Sequence, residues 1–246
     1  IFGVIGKTGV VRNLSVIGAK ISNRAGVISS YLIGTIENCY VEATITGTAN
    51  ANLNNPIGAI AEKTIGGSLI ENCIAVVTVE DGVTTTFAGG IAGQLVGAMK
   101  NSYVVNVGGS LGVHDGSANS TGTTENCAPF ADLAAFYNAE TGADTESFGS
   151  IWVFNEGYYP HLDKMEDPFT IEADDTVYQN STTEITLTNK YPVAFSLKEP
   201  VDGVSFEDGV LTVGKDVPVG TQITFVANSL YLPDATAEKT ITVAEN

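Results

Sequence analysis

A short phrase centred on asparagine recurs through the first half of the chain. In its clearest copy it reads Glu37-Asn38-Cys39-Tyr40-Val41, and later copies keep the asparagine, a small residue after it and an apolar run. The repeated asparagines are Asn13, Asn38, Asn72, Asn101 and Asn126, separated by 25, 34, 29 and 25 residues. Repeats of about 20–50 residues built from short β-type segments are typical of solenoids, in which successive turns of the chain stack. We therefore predict stacked turns over this half of the chain.

The residues that follow each asparagine alternate between two sets, one small or apolar and one polar or aromatic. After Asn38 the first set is Cys39, Val41, Ala43 and Ile45, and after Asn13 we assign Ser15, Ile17, Ala19 and Ile21 to it. A period of two indicates a strand with one buried face. Parallel pairing of successive strands would align an inward column, predicted to contain Ser15, Cys39, Cys73, Ser102 and Cys127. Because parallel crossovers are right-handed, the predicted fold is an all-β, right-handed parallel β-helix.

The aligned asparagines would lie above one another at a bend. Asparagine is suited to turns, and its amide can bond both a neighbouring amide and the turn backbone. We therefore predict a structural ladder formed by Asn13, Asn38, Asn72, Asn101 and Asn126. A metal-binding or sugar-binding role for this column is the alternative.

A second column offers a candidate binding surface. Tyr40, Ile74 and Tyr103 occupy a repeat position that should point outward, and we place Leu14 in the same column. An apolar stripe on the outside of a fold is either a packing face or a binding face. We take Tyr40, Ile74 and Tyr103 as candidate binding residues, with packing against loops or the next domain as the alternative.

One pair of residues could support catalysis. Glu37 and Glu71 share a repeat position, so stacked turns would bring together two carboxylates of the kind that glycoside hydrolysis requires. Arg12 and Lys100 fall in the same column, which favours an exposed ladder of mixed charges. We therefore assign no catalytic residue and predict that the protein is not an enzyme.

Charge and composition disfavour several kinds of partner. The formal net charge of −17 works against binding to nucleic acid or anionic membranes. No stretch is long and apolar enough for direct insertion into a membrane. Two histidines are too few for a histidine-based metal site, so we expect neither a metal nor a cofactor. Cys39, Cys73 and Cys127 all follow repeat asparagines, and we expect small buried thiols rather than disulfides.

Residues 128–166 break the repeat and are rich in aromatic side chains. Eight aromatic residues lie between Phe130 and Tyr159, and we call residues 130–159 the aromatic segment. Pro129 and the residues up to Tyr137 predict a short helix with proline near its start. Because the open end of a solenoid needs a cover, we interpret residues 128–166 as a C-terminal cap, with a sugar-binding platform as the alternative. His161 is expected at the surface beside a turn.

The last part of the chain has a different pattern. After a junction at Asp167-Pro168, about seven short alternating stretches follow, from Thr170–Ala173 to Lys239–Val243. Turn signals such as Asp202-Gly203 and Asp208-Gly209 separate them. This pattern predicts an immunoglobulin-like β-sandwich over residues 167–246.

Both parts resemble known families. The segments Phe2–Asn13, Gly89–Gly93 and Asn101–Val104 resemble the GLUG repeat of bacterial cell-surface and secreted proteins. The segments Gly203–Val213, Val217–Thr221 and Thr240–Val243 resemble a bacterial immunoglobulin-like (Big) domain. The first resemblance implies a repeat β-helix in an exported, adhesin-like protein, and the second implies a spacer or adhesion module at the cell surface.

These observations give one expectation and two alternatives. Residues 1–166 are expected to form the β-helix with its cap, and residues 167–246 the sandwich. The expected function is that of a secreted or cell-surface, adhesin-like binding and display module whose partner is a host or bacterial surface glycan or protein. The alternatives are a fragment of a glycan-active enzyme, either lyase or hydrolase, and a purely structural spacer.

Overall fold

The computed structural model describes residues 1–22, 25–47, 56–83, 85–163, 165, 169–189 and 191–246. The fold is all-β, with 48% of residues in strands and 3% in helices, and it contains parallel sheets. The chain divides into two compact units, Ile1–Lys164 and Met165–Asn246. The predicted junction at Asp167 lies outside the described residues.

Four parallel sheets, which we call A, B, C and D, run through the first unit. The chain visits them in the same order in each repeat, and we call one such circuit a rung. The first rung contains β1 (Phe2–Ile5), β2 (Val10–Arg12), β3 (Ser15–Ile21) and β4 (Ala25–Gly26), and the second contains β5 (Ser29–Leu32), β6 (Thr35–Glu37), β7 (Tyr40–Ile45) and β8 (Ile57–Gly58). The third contains β9 (Ala61–Thr64), β10 (Leu69–Glu71), β11 (Ile74–Val79) and β12 (Ala88–Gly89), and the fourth contains β13 (Ala92–Gln94), β14 (Ala98–Lys100) and β15 (Tyr103–Val107). The fifth contains β16 (Thr123–Glu125) and β17 (Ala128–Phe130).

The core of this unit lies inside the rungs. Register places Val11, Ile36, Ile70 and Met99 side by side in sheet B. The last three are fully buried, whereas Val11 on the first rung is only partly buried. Burying a side chain of this size contributes roughly 1.5–3 kcal/mol, and the stack repeats that gain on each inner rung.

The repeat asparagines make the bend between sheets B and C. All five have positive φ, between 44° and 57°, which costs most residues about 1–2 kcal/mol but which asparagine adopts more readily. Their side chains also meet across rungs: Nδ2 of Asn101 donates to Oδ1 of Asn72 at 3.2 Å, and Nδ2 of Asn126 donates to Oδ1 of Asn101 at 2.9 Å. The amide of Asn38 is different, because its buried Oδ1 has no hydrogen-bond partner among the described residues.

The small residue after each asparagine completes the bend. The thiol of Cys73 donates to the carbonyl oxygen of Glu71 at 3.2 Å, and the hydroxyl of Ser102 donates to that of Lys100 at 2.7 Å. Cys39 and Cys127 make the same bond to the residue two positions earlier. A short side chain with a donor is therefore what this column needs.

The first rung departs from the predicted register. Strand β3 aligns Ser15 with Tyr40 and Val16 with Val41, and the register then shifts between Val16 and Ala19. Leu14, Val16 and Ala19 pack against the core, so placing Ser15 and Ile17 on the inward face was wrong, as was placing Leu14 in the column of Tyr40. The predicted alignment of Ala19 with Ala43 and of Ile21 with Ile45 is confirmed, but a β-bulge that contains Gly18, with φ of 71°, adds a residue to β3. The same alignment therefore does not extend back to the residues before the bulge.

The aromatic segment packs along the side of the stack, whereas the sequence predicted a cover for its end. Trp152 meets Tyr40 of the second rung edge-on, with ring centroids 6.4 Å apart, and Phe148 lies 5.8 Å from Tyr103 of the fourth rung. The elements that follow β17 in the first unit are short: α1 (Leu133–Phe136), a 3-10 turn (Thr145–Ser147), β18 (Trp152–Val153) and β19 (His161–Leu162). The helix starts after Asp132, whose Oδ1 accepts from the amide of Ala135, while Pro129 lies in β17, so the predicted helix start was wrong.

The second unit has its own core and mainly antiparallel pairing. Its strands are β20 (Thr170–Glu172), β21 (Thr176–Tyr178), β22 (Ser181–Glu184), β23 (Thr186–Thr188), β24 (Val193–Leu197), β25 (Val204–Glu207), β26 (Val210–Val213), β27 (Gln222–Ser229) and β28 (Thr236–Ala244). They form a four-stranded sheet in the order β21-β28-β27-β24, a three-stranded sheet β22-β26-β25 and the pair β20-β23. Leu211, Ile223 and Phe225 are fully buried. The turn predicted at Asp208-Gly209 is confirmed, because both residues have positive φ and join β25 to β26.

Replacing Asn72 should separate its backbone role from its side-chain role. We expect Asn72→Ala to lower the free energy of unfolding of the first unit by about 2–3 kcal/mol, because it loses both the tolerance of positive φ and the bond to Asn101. Asn72→Gly should lower it by only about 1 kcal/mol, since glycine keeps the backbone freedom. Urea unfolding followed by the fluorescence of Trp152, the single tryptophan, measures both variants. Equal losses would contradict the role of φ.

Candidate functional site

The predicted binding stripe exists as a column but is not a surface. Register aligns Tyr40, Ile74 and Tyr103 on adjacent rungs of sheet C, with Ser15 as the first-rung member. Their exposed fractions are 0%, 0% and 2%, and rings of the aromatic segment lie against Tyr40 and Tyr103. Assigning a binding role to these three residues was therefore wrong, and the column is a packing face.

Tyr103 shows how closely the aromatic segment holds this column. Its ring lies 5.8 Å from Phe130 and 6.2 Å from Phe136, and its hydroxyl oxygen accepts a hydrogen bond from the amide of Asp144 at 3.2 Å. Burial raises the pKa of the Tyr103 phenol. The side chain is thus a neutral packing group.

The outward side of sheet B carries the charged residues of the repeat, and we call it the charged face. One of its columns contains Arg12, Glu37, Glu71, Lys100 and Glu125 in register, and a second contains Val10, Thr35, Leu69, Ala98 and Thr123. Opposite charges pair between rungs: Nη1 of Arg12 lies 3.8 Å from Oε1 of Glu37, and Nζ of Lys100 lies 3.0 Å from Oε2 of Glu125. Glu125 raises the pKa of Lys100. The face is therefore a flat, regularly spaced array of mixed charges.

The two carboxylates considered for catalysis lie in the middle of this array. Glu37 and Glu71 are register partners on adjacent rungs, as the repeat predicted. Arg12 flanks the pair on one side and Lys100 on the other. Cations on both sides continue the pairing of opposite charges seen in Arg12–Glu37 and Lys100–Glu125. The arrangement suits an ion-pair ladder better than an acid–base pair.

A shallow groove of about 460 Å³ runs beside the charged face where sheet A turns into sheet B. Its lining includes Ser68, Gly97, Thr121 and Thr123. The two threonines are exposed, whereas Ser68 is buried together with its hydroxyl oxygen. A Cβ on Gly97 would lie 2.1 Å from the hydroxyl oxygen of Ser68, so only glycine fits there. We did not predict this groove from the sequence. Its signal was the small residue that opens each repeat phrase, at Gly34, Ser68 and Gly97.

The cysteines are free thiols, as predicted. Cys39 and Cys73 are fully buried, and Cys127 is half-buried on the last rung. Burial raises the pKa of the thiols of Cys73 and Cys127. Both positions are structural, because each thiol donates to a carbonyl of the preceding strand.

The histidines do not form a site together. His161 is 3% exposed, so its predicted surface position was wrong; burial lowers its pKa, and Nδ1 lies 3.3 Å from the carbonyl oxygen of Tyr159. His114 hydrogen-bonds through Nδ1 to the amide of Gly116. Across the described ranges, no group of three or more histidine, cysteine, aspartate or glutamate residues has the geometry to hold a metal ion. Within the same ranges, no helix has the length and apolarity needed to span a bilayer.

Comparisons of the chain with protein-family models, with curated proteins and with solved structures found no match.

Truncating Tyr103 should destabilise the first unit without removing an exposed group. We expect Tyr103→Ala to lower the free energy of unfolding by about 3–5 kcal/mol, as for other large buried aromatics. Tyr103→Phe keeps the ring and should cost about 1 kcal/mol for the lost hydrogen bond. Urea unfolding measures both variants. A loss below about 1 kcal/mol for the alanine variant would mean that the column is not a packing face.

Thiol reactivity should follow burial. In the native protein at neutral pH, we expect iodoacetamide to modify Cys127 slowly, because thiolate is the reactive species and burial raises the pKa of that thiol. Cys39 and Cys73 should stay unmodified, because both are fully buried and the reagent cannot reach them. Unfolding in urea should expose all three thiols. Intact-mass spectrometry counts the adducts, and rapid native labelling of Cys73 would contradict the structure.

Proposed function

We propose that the protein is a non-enzymatic binding and display module of adhesin type that works outside the cell or on a bacterial cell surface. In this proposal, the first unit is a right-handed parallel β-helix of GLUG-like repeats and the second is an immunoglobulin-like sandwich of Big type. The observation that supports it most is the charged face, where five rungs hold two outward-facing columns in register.

A face of this kind suits an extended ligand. Neighbouring parallel strands lie about 4.8 Å apart, so each column repeats its side chains at that spacing along the stack. A glycan chain or an extended protein segment could contact several rungs at once, and repeated weak contacts add up when geometry allows them together. The strands hold these side chains in place, which lowers the ordering penalty on binding. The acidic chain disfavours polyanions, so a surface glycan or protein is the proposed partner.

Two alternatives make different predictions for the same face. A glycan-active enzyme would use Glu37 and Glu71 as its carboxylate pair, and their alignment on adjacent rungs is the observation in its favour. A structural spacer would need no ligand, and the burial of Tyr40, Ile74 and Tyr103 agrees with that alternative. The spacer must still account for a charged face that remains open to solvent.

A binding screen with matched variants separates the three functions. The full chain is applied to a printed array of host and bacterial surface glycans and to immobilised extracellular-matrix proteins. We expect saturable binding that falls about tenfold in the double variant Glu37→Gln/Glu71→Gln, because it removes two carboxylates from the centre of the face. The control Glu140→Gln/Glu146→Gln removes the same charge from exposed positions on the aromatic segment and should bind like wild type.

The same preparations test the alternatives. Release of reducing sugar or unsaturated product from a polysaccharide, abolished by Glu37→Gln or Glu71→Gln, would replace the proposal with the enzyme. If no probe shows saturable binding, the result would contradict the binding module and favour the structural spacer. Equal losses in both double variants would mean that binding depends on net charge and not on the charged face.

A further inference from the structure

Strand β24 (Val193–Leu197) lies at one edge of the four-stranded sheet in the second unit. It pairs antiparallel with β27 on one side, and no strand of the described ranges pairs with its other side. An edge strand of this kind presents unpaired backbone groups, which are a template for pairing with another chain. The open side of β24 is therefore a candidate interaction surface.

The hydrogen bonds to β27 show which backbone groups of β24 are free. The amide of Lys198, just after the strand, donates to the carbonyl oxygen of Thr224 at 2.8 Å. In antiparallel pairing, residues two apart along a strand bond to the same side, so Ser196 and Ala194 also bond to β27. The alternate residues direct their amides and carbonyls to the open side, and they are Val193, Phe195 and Leu197.

The sequence of β24 does not protect this edge. Edge strands are commonly protected by charged residues, by proline, by a bulge or by being short. Strand β24 reads Val-Ala-Phe-Ser-Leu and pairs with β27 without a register shift. The edge strands β22 and β25 are shorter and contain Glu184 and Glu207, while β20, β21 and β23 have three residues each. Among the described strands of this unit, β24 is thus the longest and least protected edge.

The inward side of β24 is apolar and incompletely covered. The ring of Phe195 lies 4.8 Å from that of Phe206 and 6.0 Å from that of Phe225. Phe225 is fully buried, whereas Phe195, Phe206 and Leu197 remain partly exposed. A strand added to this edge would remove apolar side chains from water, which favours association.

We propose that β24 is a dimerisation strand, which pairs antiparallel with β24 of a second copy of this chain about a two-fold axis at Phe195. The strand is complementary to itself in this register. Phe195 exchanges both of its free backbone hydrogen bonds with Phe195 of the second copy, and Val193 exchanges both with Leu197 of the second copy. On the outward side, Ala194 lies beside Ser196 of the second copy. The contact joins the two four-stranded sheets into one continuous sheet.

Charge and order both favour a second copy at this edge. Residues 167–246 carry 13 acidic and 4 basic residues, so two copies repel each other over most of this part of the chain. The strand itself is uncharged, and Lys198 beside it already pairs with Glu238, with Nζ 2.8 Å from Oε1. The proposed register therefore places no like charges opposite each other. A second β24 is also an ordered strand already, whereas a flexible peptide would lose conformational entropy on binding.

The interface uses the same surface on both copies, so association ends at the dimer. A contact made by one strand from each copy is small, and we therefore expect a reversible dimer rather than a permanent one. Dimerisation would double the number of binding surfaces per particle, so that weak contacts with one extended ligand reinforce each other. The inference itself does not depend on the proposed function.

Sedimentation velocity tests the pairing and its stoichiometry. The full chain, from about 5 to about 500 μM at about 0.15 M salt, should change from monomer to dimer and form no larger species. Ala194→Lys/Ser196→Lys places lysines opposite each other across the two-fold axis and should weaken dimerisation about tenfold. Because the chain is acidic, two added lysines would otherwise reduce the repulsion between copies, so weakening indicates the proposed register.

Two matched variants separate the register from a general effect of charge. Ala194→Glu/Ser196→Lys places a glutamate beside a lysine in the same register and should dimerise at least as tightly as wild type. Thr240→Lys/Thr242→Lys adds two lysines at the same spacing to exposed positions of β28, which lies inside the same sheet, and should dimerise like wild type. Far-ultraviolet circular dichroism confirms that each variant is folded.

Hydrogen exchange shows whether β24 is the strand that pairs. As the protein concentration rises, exchange should slow at the free amides of Val193, Phe195 and Leu197, because these amides become bonded only in the dimer. A chain that stays monomeric over the whole range overturns the inference, and so does growth beyond the dimer. Unchanged dimerisation of the Ala194→Lys/Ser196→Lys variant, equal weakening of both lysine variants or unchanged exchange at the three amides in the dimer would also overturn it.

Discussion

In-register parallel pairing between rungs is the interaction on which the rest of the first unit depends. Because each strand lies about 4.8 Å from its neighbour, every residue has its own repeat equivalents directly above and below it. All positions of one column therefore have a similar backbone conformation and similar surroundings, so they favour side chains of the same kind. Inward positions of sheet B take Ile36, Ile70 and Met99, all fully buried, and the bend takes asparagine on every rung because each copy has positive φ there. Small donors follow the asparagine for the same reason, since each bonds to a carbonyl that the bend brings within reach.

One outward column is buried under other residues and the other is not, and the type of side chain determines which. In sheet C the column of Tyr40, Ile74 and Tyr103 is apolar, and leaving two aromatic rings and an isoleucine in water would forfeit several kcal/mol of burial. The aromatic segment covers it, with Trp152 on Tyr40 and Phe148 on Tyr103. In sheet B the equivalent surface carries Arg12, Glu37 and their column mates, and burying those charges would cost more than it returned. The same periodicity therefore produces one covered face and one outward-facing charged face.

Much of the register of the first unit was predictable from the sequence, because equivalent residues of successive repeats lie next to each other in a stack. The asparagine column, the alternation after Asn38 and the alignment of Glu37 with Glu71 all follow from counting residues between copies. The bulge at Gly18 could not be counted in this way, because no single spacing fits the whole of β3. Ala19 and Ile21 align with Ala43 and Ile45, whereas Ser15, before the extra residue, aligns with Tyr40 on the outward face. The position of the aromatic segment was also beyond the repeat, because nothing within residues 130–159 states whether they cover an end or a side. The outward tyrosines did indicate the position of the aromatic segment. Large aromatic side chains that recur at an outward position need other residues to cover them.

A stack of equivalent rungs has no intrinsic reason to stop, so its ends depend on residues that break the pattern. At the fourth rung, Asn106 takes the inward position aligned with Val77, and its amide bonds to the backbone of Leu111 and Phe130 while remaining 3% exposed. A buried amide with all these partners is compatible with the core, but it ends the run of apolar side chains that another inward residue would pack on. Pro129 then blocks the edge of the final strand of sheet C. At the first rung, Val4 and Val10 are instead more than half exposed. The fifth-rung end of the stack thus terminates the apolar core, while the exposed polar strand β16 (Thr123–Glu125) remains at the edge of sheet B.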